Sequence, residues 1–205
     1  MIPILITQHR IESSHSEQHD SLDQRWHQLL NQAGILAVPV PNNPNLIENY
    51  WQTIKPHGVI LSGGGSYTEL DTDCRSRTED KLLDLCIEHN LPVLGICRGM
   101  QVLLQKSGHE LLPVKGHIHP KQSIIVNCSP ITLNSYHDFG VFQVNSSFRA
   151  WAHTTDGVIK AVEHKNNKLI GIMWHPERGD TFLAKNIQFL QTVFMMKEFP
   201  CAHLF

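Results

Sequence analysis

The 205-residue chain lacks an excess of charge of either sign: 17 Lys and Arg stand against 19 Asp and Glu, a formal net charge of −2. That balance argues against nucleic acid and anionic membrane as partners, because both select clustered basic side chains. No apolar run approaches the ~20 residues that cross a bilayer. The opening Met1-Ile2-Pro3-Ile4-Leu5-Ile6 has neither a basic stretch nor a small-residue cleavage site. An export signal is therefore not expected, and the expected location is the cytoplasm. Cysteines are few and odd in number (Cys74, Cys86, Cys97, Cys128 and Cys201), with no C-x-x-C pair. A disulfide framework and a zinc ribbon are both disfavoured, and reduced thiols are the expectation. Repeats, low-complexity tracts, linkers and a G-x-x-x-x-G-K-[ST] loop are also missing. What is present is 41% hydrophobic residues against 18% charged, enough apolar content for a full core. One domain over residues 1–205 is expected.

The apolar pattern predicts the elements. Residues 2–6 read as a buried strand. Leu22, Trp26, Leu29, Leu30 and Ala33 recur at helical spacing behind Asp20 or Ser21 as N-cap, and Gly34 stops that helix. Further strands are expected over 35–40, 58–61 and 91–96, with an amphipathic helix over 77–89. Strand and helix in alternation predict a parallel α/β sheet with right-handed crossovers. After about residue 115 the texture changes. Short β-type runs at 123–127, 139–144, 158–163 and 168–174 predict antiparallel strands, and a helix over about 180–197 closes the chain.

The most informative segment is Val93-Leu94-Gly95-Ile96-Cys97-Arg98-Gly99-Met100-Gln101. A strand ending in G-x-C-x-G before a helical pattern is the thiol form of the nucleophile elbow, a tight turn that lifts Cys97 above the sheet edge. The flanking glycines suit a turn with no room for side chains. A helix N-terminus beside the thiol favours thiolate. The base is found in Leu169-Ile170-Gly171-Ile172-Met173-Trp174-His175-Pro176-Glu177. The apolar run places His175 at a strand end, and Glu177, two residues on, shares its strand face and reaches back to one imidazole nitrogen.

Together these two segments resemble the class I glutamine amidotransferase-like superfamily, over nearly the whole chain and in the expected order. The resemblance implies a flavodoxin-like three-layer fold: a mostly parallel central sheet, helices on both faces, and a small antiparallel β section in the C-terminal half. It implies cleavage of a γ-glutamyl amide by Cys97, His175 and Glu177 through a glutamyl thioester. By the same likeness, the Ser62-Gly63-Gly64 loop supplies an oxyanion donor from the Gly64 amide, and the Arg98 amide is the second. Gln101, one turn after the nucleophile, is implied to contact the glutamyl group. Tyr136, His137 and Asp138, in Asn134-Ser135-Tyr136-His137-Asp138-Phe139, are implied to hold its α-amino and α-carboxylate ends. No cofactor is implied, and the partner is a small γ-glutamyl substrate.

Cys97-Arg98-Gly99 looks more like the free-standing hydrolases than like glutaminase subunits. Asp138-Phe139 and Gly108-His109 depart from the γ-glutamyl-aminobutyrate hydrolases. Ile6 to Arg10 and Asp20 to Trp26 look similar to a subgroup found with capsule and surface-polysaccharide genes, which acts on γ-glutamyl-CDP-amidate. Arg10, Arg25, Arg75, Arg77 and Arg98 are the cations available for its diphosphate. The alternatives are a glutaminase subunit of a two-chain amidotransferase with a synthetase partner, or a γ-glutamyl-aminobutyrate or γ-glutamyl-peptide hydrolase. A homodimer is compatible with each. His117 and His119 have metal-ligand spacing without complementary Cys or carboxylate, so they are expected to line the cleft mouth or face solvent rather than hold a metal.

Overall fold

The computed structural model describes residues 1–65, 73–179 and 181–196. In chain order its elements are β1 (Ile2–Ile6), β2 (His9–Glu12), β3 (Gln18–Ser21), α1 (Arg25–Gln32), β4 (Ile35–Pro39) and α2 (Ile47–Ile54). Next come β5 (Val59–Leu61), α3 (Cys74–Glu88), β6 (Val93–Ile96), α4 (Arg98–Lys106), β7 (Leu112–Pro113) and β8 (Ile118–Val126). The remainder is β9 (Ser129–Tyr136), β10 (Phe139–Gly140), β11 (Phe148–His153), β12 (Ile159–His164), β13 (Leu169–Ile172) and α5 (Ala184–Met195).

Nine strands form one sheet in the order β4-β1-β5-β6-β13-β12-β11-β8-β9. The first five are mutually parallel. From β13 onwards every pairing is antiparallel. Numbered among themselves, the parallel strands run 2-1-3-4-5, the flavodoxin-like order. Their residues alternate between two cores. Ile4, Ile6, Ile60, Leu94 and Ile96 pack with Trp26, Leu29 and Leu30 of α1 and Phe189, Leu190 and Val193 of α5. Leu5, Val59, Leu61 and Val93 pack with Trp51 of α2, Leu82 and Cys86 of α3, and Met100 and Leu103 of α4. Helices thus cover both faces, giving three layers, and each fully buried Leu or Ile contributes roughly 1.5–3 kcal/mol.

Several boundaries depart from the sequence expectation. Asp20 and Ser21 do not cap α1. They lie in β3 of a β2–β3 hairpin, and the Asp20 carboxylate instead accepts from Asn42 N at 2.9 Å and Asn42 Nδ2 at 2.6 Å. The polar composition of 9–21 conceals this exposed hairpin, and flanking prolines conceal α2. The α3 helix starts at Cys74 rather than residue 77, because Asp73 accepts from Ser76 N at 2.7 Å and caps it. One strand expected over 123–127 is two longer ones, joined at Asn127-Cys128, whose φ values of 48° and 66° make a two-residue hairpin turn. Only Phe139–Gly140 of the run 139–144 is strand, pairing with β7. The closing helix spans Ala184–Met195; residues 180 and 197 of the expected span, like Cys201, lie outside the described residues. Among the described residues no helix is long and apolar enough to cross a membrane.

Candidate active site

The chain's reactive groups gather at the C-terminal ends of the parallel strands. After β6 the backbone turns at Cys97 with φ 51° and ψ −102°, a conformation costly for a side-chain-bearing residue, and α4 begins at once. The Cys97 amide is tied to the Ile172 carbonyl at 2.7 Å. Glycine is required beside it: a Cβ on Gly99 would stand 2.1 Å from the Leu61 carbonyl oxygen, and one on Gly95 2.5 Å from the Gly99 carbonyl carbon.

After β5 the loop Ser62–Gly65 is held by Arg75, which donates to the carbonyls of Ser62 at 2.7 Å, Gly63 at 3.1 Å and Gly64 at 2.7 Å. Arg75 is fully buried with Glu79, to which it donates at 2.8 Å, and Arg98 donates to the other oxygen of the same carboxylate. One carboxylate therefore joins the loop's brace to the elbow. Burial and the neighbouring Arg98 charge lower the Arg75 pKa, while Glu79 opposes them. A Cβ on Gly63 would stand 2.6 Å from His175 Cε1, so only glycine lets this loop come so close to the imidazole.

His175 lies three residues beyond β13, in a turn closed by Arg178 N on the His175 carbonyl at 3.2 Å. Glu177 therefore reaches it across this turn rather than along a strand face, because Pro176 ends extended pairing. Glu177 Oε1 is 2.7 Å from His175 Nδ1, with both side chains buried. Asn134 clamps the turn, accepting from His175 N at 2.7 Å and donating to the His175 and Arg178 carbonyls at 2.8 and 3.0 Å. The other imidazole nitrogen, Nε2, is buried and has no hydrogen bond of ordinary geometry among the described residues, although Cys97 stands close enough to act on its charge. The Cys97 thiol instead donates towards the Tyr136 carbonyl, with Sγ 3.7 Å from the oxygen. Burial pushes the His175 pKa down, but Cys97 and Glu177 favour its charged form more strongly and lift it to about 9.

A 240 Å³ cavity brings together Gly64, Cys97, Arg98, Gln101, Tyr136, His137, Asp138 and His175. Every residue singled out for the site lines it except Glu177, which stands behind His175. Gln101 Nε2 donates to the Phe139 carbonyl at 2.9 Å, so its side chain also fixes the far wall. His137 is buried and Asp138 exposed. A second cavity of 300 Å³ lies beyond Gly64 and is lined by His9, Ser21, Asp23, Trp26, Glu177 and Arg178.

The arginine expectation needs correction. Arg75 and Arg98 have buried guanidiniums committed to Glu79 and the glycine loop. Arg25 pairs with Asp23 at 2.5 Å, Arg10 donates to Gln18 at 2.7 Å, and Arg77 is exposed on α3. The cation lining both cavities is Arg178, lying over the Tyr136 ring at 4.9 Å, and no sequence pattern singles it out. His117 neither lines the mouth nor faces solvent. It is buried, stacks on His137 at 5.1 Å and pairs with Asp156 at 3.1 Å, because the β8–β9 pairing folds it inwards. His119 is exposed. Among the described residues no three His, Cys, Asp or Glu are grouped to hold a metal.

The chain is 28% identical to the γ-glutamyl-CDP-amidate hydrolase of Campylobacter jejuni, covering 93% of this chain and 96% of the relative. It is 31% identical to an aminodeoxychorismate synthase of Streptomyces pristinaespiralis, but spans only 23% of that protein. A GMP synthase component from Thermoplasma acidophilum, known from its crystal structure, shares the fold, with TM-score 0.71, 21% identity and coverage of 95% and 92% of the two chains. The Peptidase C26 family model matches residues 1–177, and the chain belongs to that family, among the class I glutamine amidotransferase-like proteins.

Proposed function

We propose that the chain hydrolyses a γ-glutamyl amide with Cys97 as nucleophile, His175 as acid and base, and Glu177 as its orienting carboxylate. The observation that carries this is the line Glu177–His175–Cys97: Nδ1 is held at 2.7 Å, while Nε2 has no other hydrogen-bond partner among the described residues and is left for the thiol at the same cavity. Such catalytic contacts are commonly long before substrate arrives. His175 takes the thiol proton, and the thiolate attacks the γ-carbonyl carbon. The amides of Gly64 and Arg98 receive the oxyanion, the Gly64 carbonyl being held away by Arg75. Imidazolium then protonates the departing nitrogen, the C–N bond breaks, and a glutamyl thioester remains. Water, losing a proton to His175, attacks the thioester and releases glutamate and the thiol. Gln101, Tyr136, His137 and Asp138 form the wall that holds the glutamyl end.

The substrate we favour is γ-glutamyl-CDP-amidate, with a role in capsule polysaccharide phosphoramidate synthesis in the cytoplasm. Two things support it. The relative bearing that name matches end to end, whereas the chain spans only a fraction of the synthase. The second cavity is walled by His9, Ser21, Asp23 and Trp26, from the N-terminal segments that look like that subgroup, and Arg178 offers its guanidinium to an anion there. Glutamate release should be compared on glutamine, γ-glutamyl-aminobutyrate, a γ-glutamyl peptide and γ-glutamyl-CDP-amidate, without ATP. Preference for the nucleotide amide, lost in Cys97→Ala, is expected. Activity on glutamine alone, or only after a larger synthetase chain is added, would move the assignment to a glutaminase with a synthetase partner.

A further inference from the structure

A buried lysine stands beside the nucleophile without an evident structural reason for its charge. Lys160 of β12 is fully buried, with Nζ 2.8 Å from Ser135 Oγ and 2.5 Å from His137 Nε2. The partners fix the direction of each bond. Ser135 Oγ lies 2.8 Å from the His117 carbonyl, which can only accept, so its hydrogen is used there and its oxygen accepts from Lys160. His137 Nδ1 lies 2.9 Å from the Phe139 carbonyl, so Nδ1 carries the ring proton and Nε2 also accepts from Lys160. Lys160 thus donates to residues on both sides of Tyr136, whose carbonyl faces Cys97 Sγ.

Among the described residues Lys160 pairs with no carboxylate. Burying an ammonium without a counter-ion costs several kcal/mol, and an apolar side chain of similar shape would be cheaper. Burial pushes the Lys160 pKa down to about 7, and the charges of Cys97 and Asp156 act against that fall. His137 is pushed down to about 3 by burial and by Lys160, so it stays neutral. The other titratable groups around the lysine are few. Among the described residues they are His117 just before β8, stacked on His137; Asp138 beyond β9; His153 on β11, bonded to the Thr154 carbonyl; and His175 after β13. Asp156 is shared with His117 and Thr154, which leaves Cys97 as the negative charge able to form beside Lys160 during turnover.

We propose that Lys160 is a positioning residue for the nucleophile: its ammonium braces Ser135 and His137 around the Tyr136 carbonyl and supplies, besides His175, the positive charge that stabilises the Cys97 thiolate. This rests on Cys97 being the nucleophile. The test is the pH dependence of Cys97 alkylation by iodoacetamide in the free protein, followed at the Cys97 peptide by mass spectrometry. Lys160→Met should move the midpoint up by about one pH unit, the size expected of one nearby charge, while Lys160→Arg restores most of the shift. An unchanged midpoint in a folded Lys160→Met protein overturns the proposal, even if its melting temperature falls.

Should Lys160→Met not fold, the reciprocal measurement remains. In protein carrying lysine labelled at Cε, the Lys160 NMR titration midpoint should fall in Cys97→Ala, which lacks the thiolate. An unmoved midpoint overturns the proposal. Full turnover by Cys97→Ala is a separate outcome and removes the nucleophile assignment itself.

Discussion

The two halves of the sheet solve different problems. In the parallel half, β5, β6 and β13 are short and apolar, and they lead into the glycine loop, the Cys97 elbow and the His175 turn. In the antiparallel half, β9, β12 and the residues flanking the β8–β9 pair bury a polar set, His117, Ser135, His137 and Lys160, at the site's far wall. The difference teaches where chemistry and recognition sit. On the proposed mechanism, rigid strand ends would fix the attacking atoms and the hydrogen-bonded half would shape what they attack.

The comparison breaks most sharply at Cys97. Cys97→Ala should lower turnover roughly 10⁴-fold or more while the melting temperature stays near that of the parent. Retained activity would place the chemistry elsewhere. Glu177→Gln comes next, with an expected loss of about 10²–10³-fold in kcat, since Nδ1 loses its charged partner. It also carries a pH signature. His175 is lifted from 6.5 to about 9, so the folded protein holds that proton more tightly than the unfolded chain. The stability this contributes is complete below about pH 6.5 and is lost as pH rises through about 9. Urea midpoints measured at about pH 6 and about pH 9 should differ less in Glu177→Gln than in the parent, and an equal difference would remove Glu177 as the cause.

Gly99→Ala tests the backbone of the parallel half. Its Cβ would meet the Leu61 carbonyl, and a loss of about 3 kcal/mol in stability is expected by denaturant titration. A folded, active variant of parental stability would mean that the elbow can shift. The smallest effect is expected at the boundary between the halves. Arg178→Ala should raise KM for a nucleotide amide about tenfold and leave the weaker reaction with glutamine unchanged. An equal effect on both substrates would make Arg178 a support for Tyr136 rather than a selector.

Legibility follows the same division. Runs such as Val93 to Ile96 are buried on both faces, so their sequence alone marks them as strands, and Cys97 and His175 are found where those runs stop. The antiparallel half is legible only as texture. A nine-residue strand containing His119, Lys121 and Gln122 has no clean alternation, because its first half is largely exposed and its register slips between His119 and Gln122. Lys160 is invisible in the sequence: a lysine in Val158-Ile159-Lys160-Ala161-Val162 suggests a solvent face, and its partners come from 25 and 23 positions away. The brace of Arg75 is hidden for the same reason, since no local pattern announces an arginine that will be buried against a loop 11 to 13 positions earlier.

That brace also constrains how the protein can change over generations. Arg75, Glu79 and Arg98 share one buried carboxylate between two guanidiniums. Replacing Glu79 alone would strand two cations, and replacing either arginine alone would leave the loop or the elbow unsupported, each at a cost of about 3–5 kcal/mol. The three positions therefore form one heritable unit, and a lineage that abandons any of them must pass through a poorly folded ancestor or replace all three together.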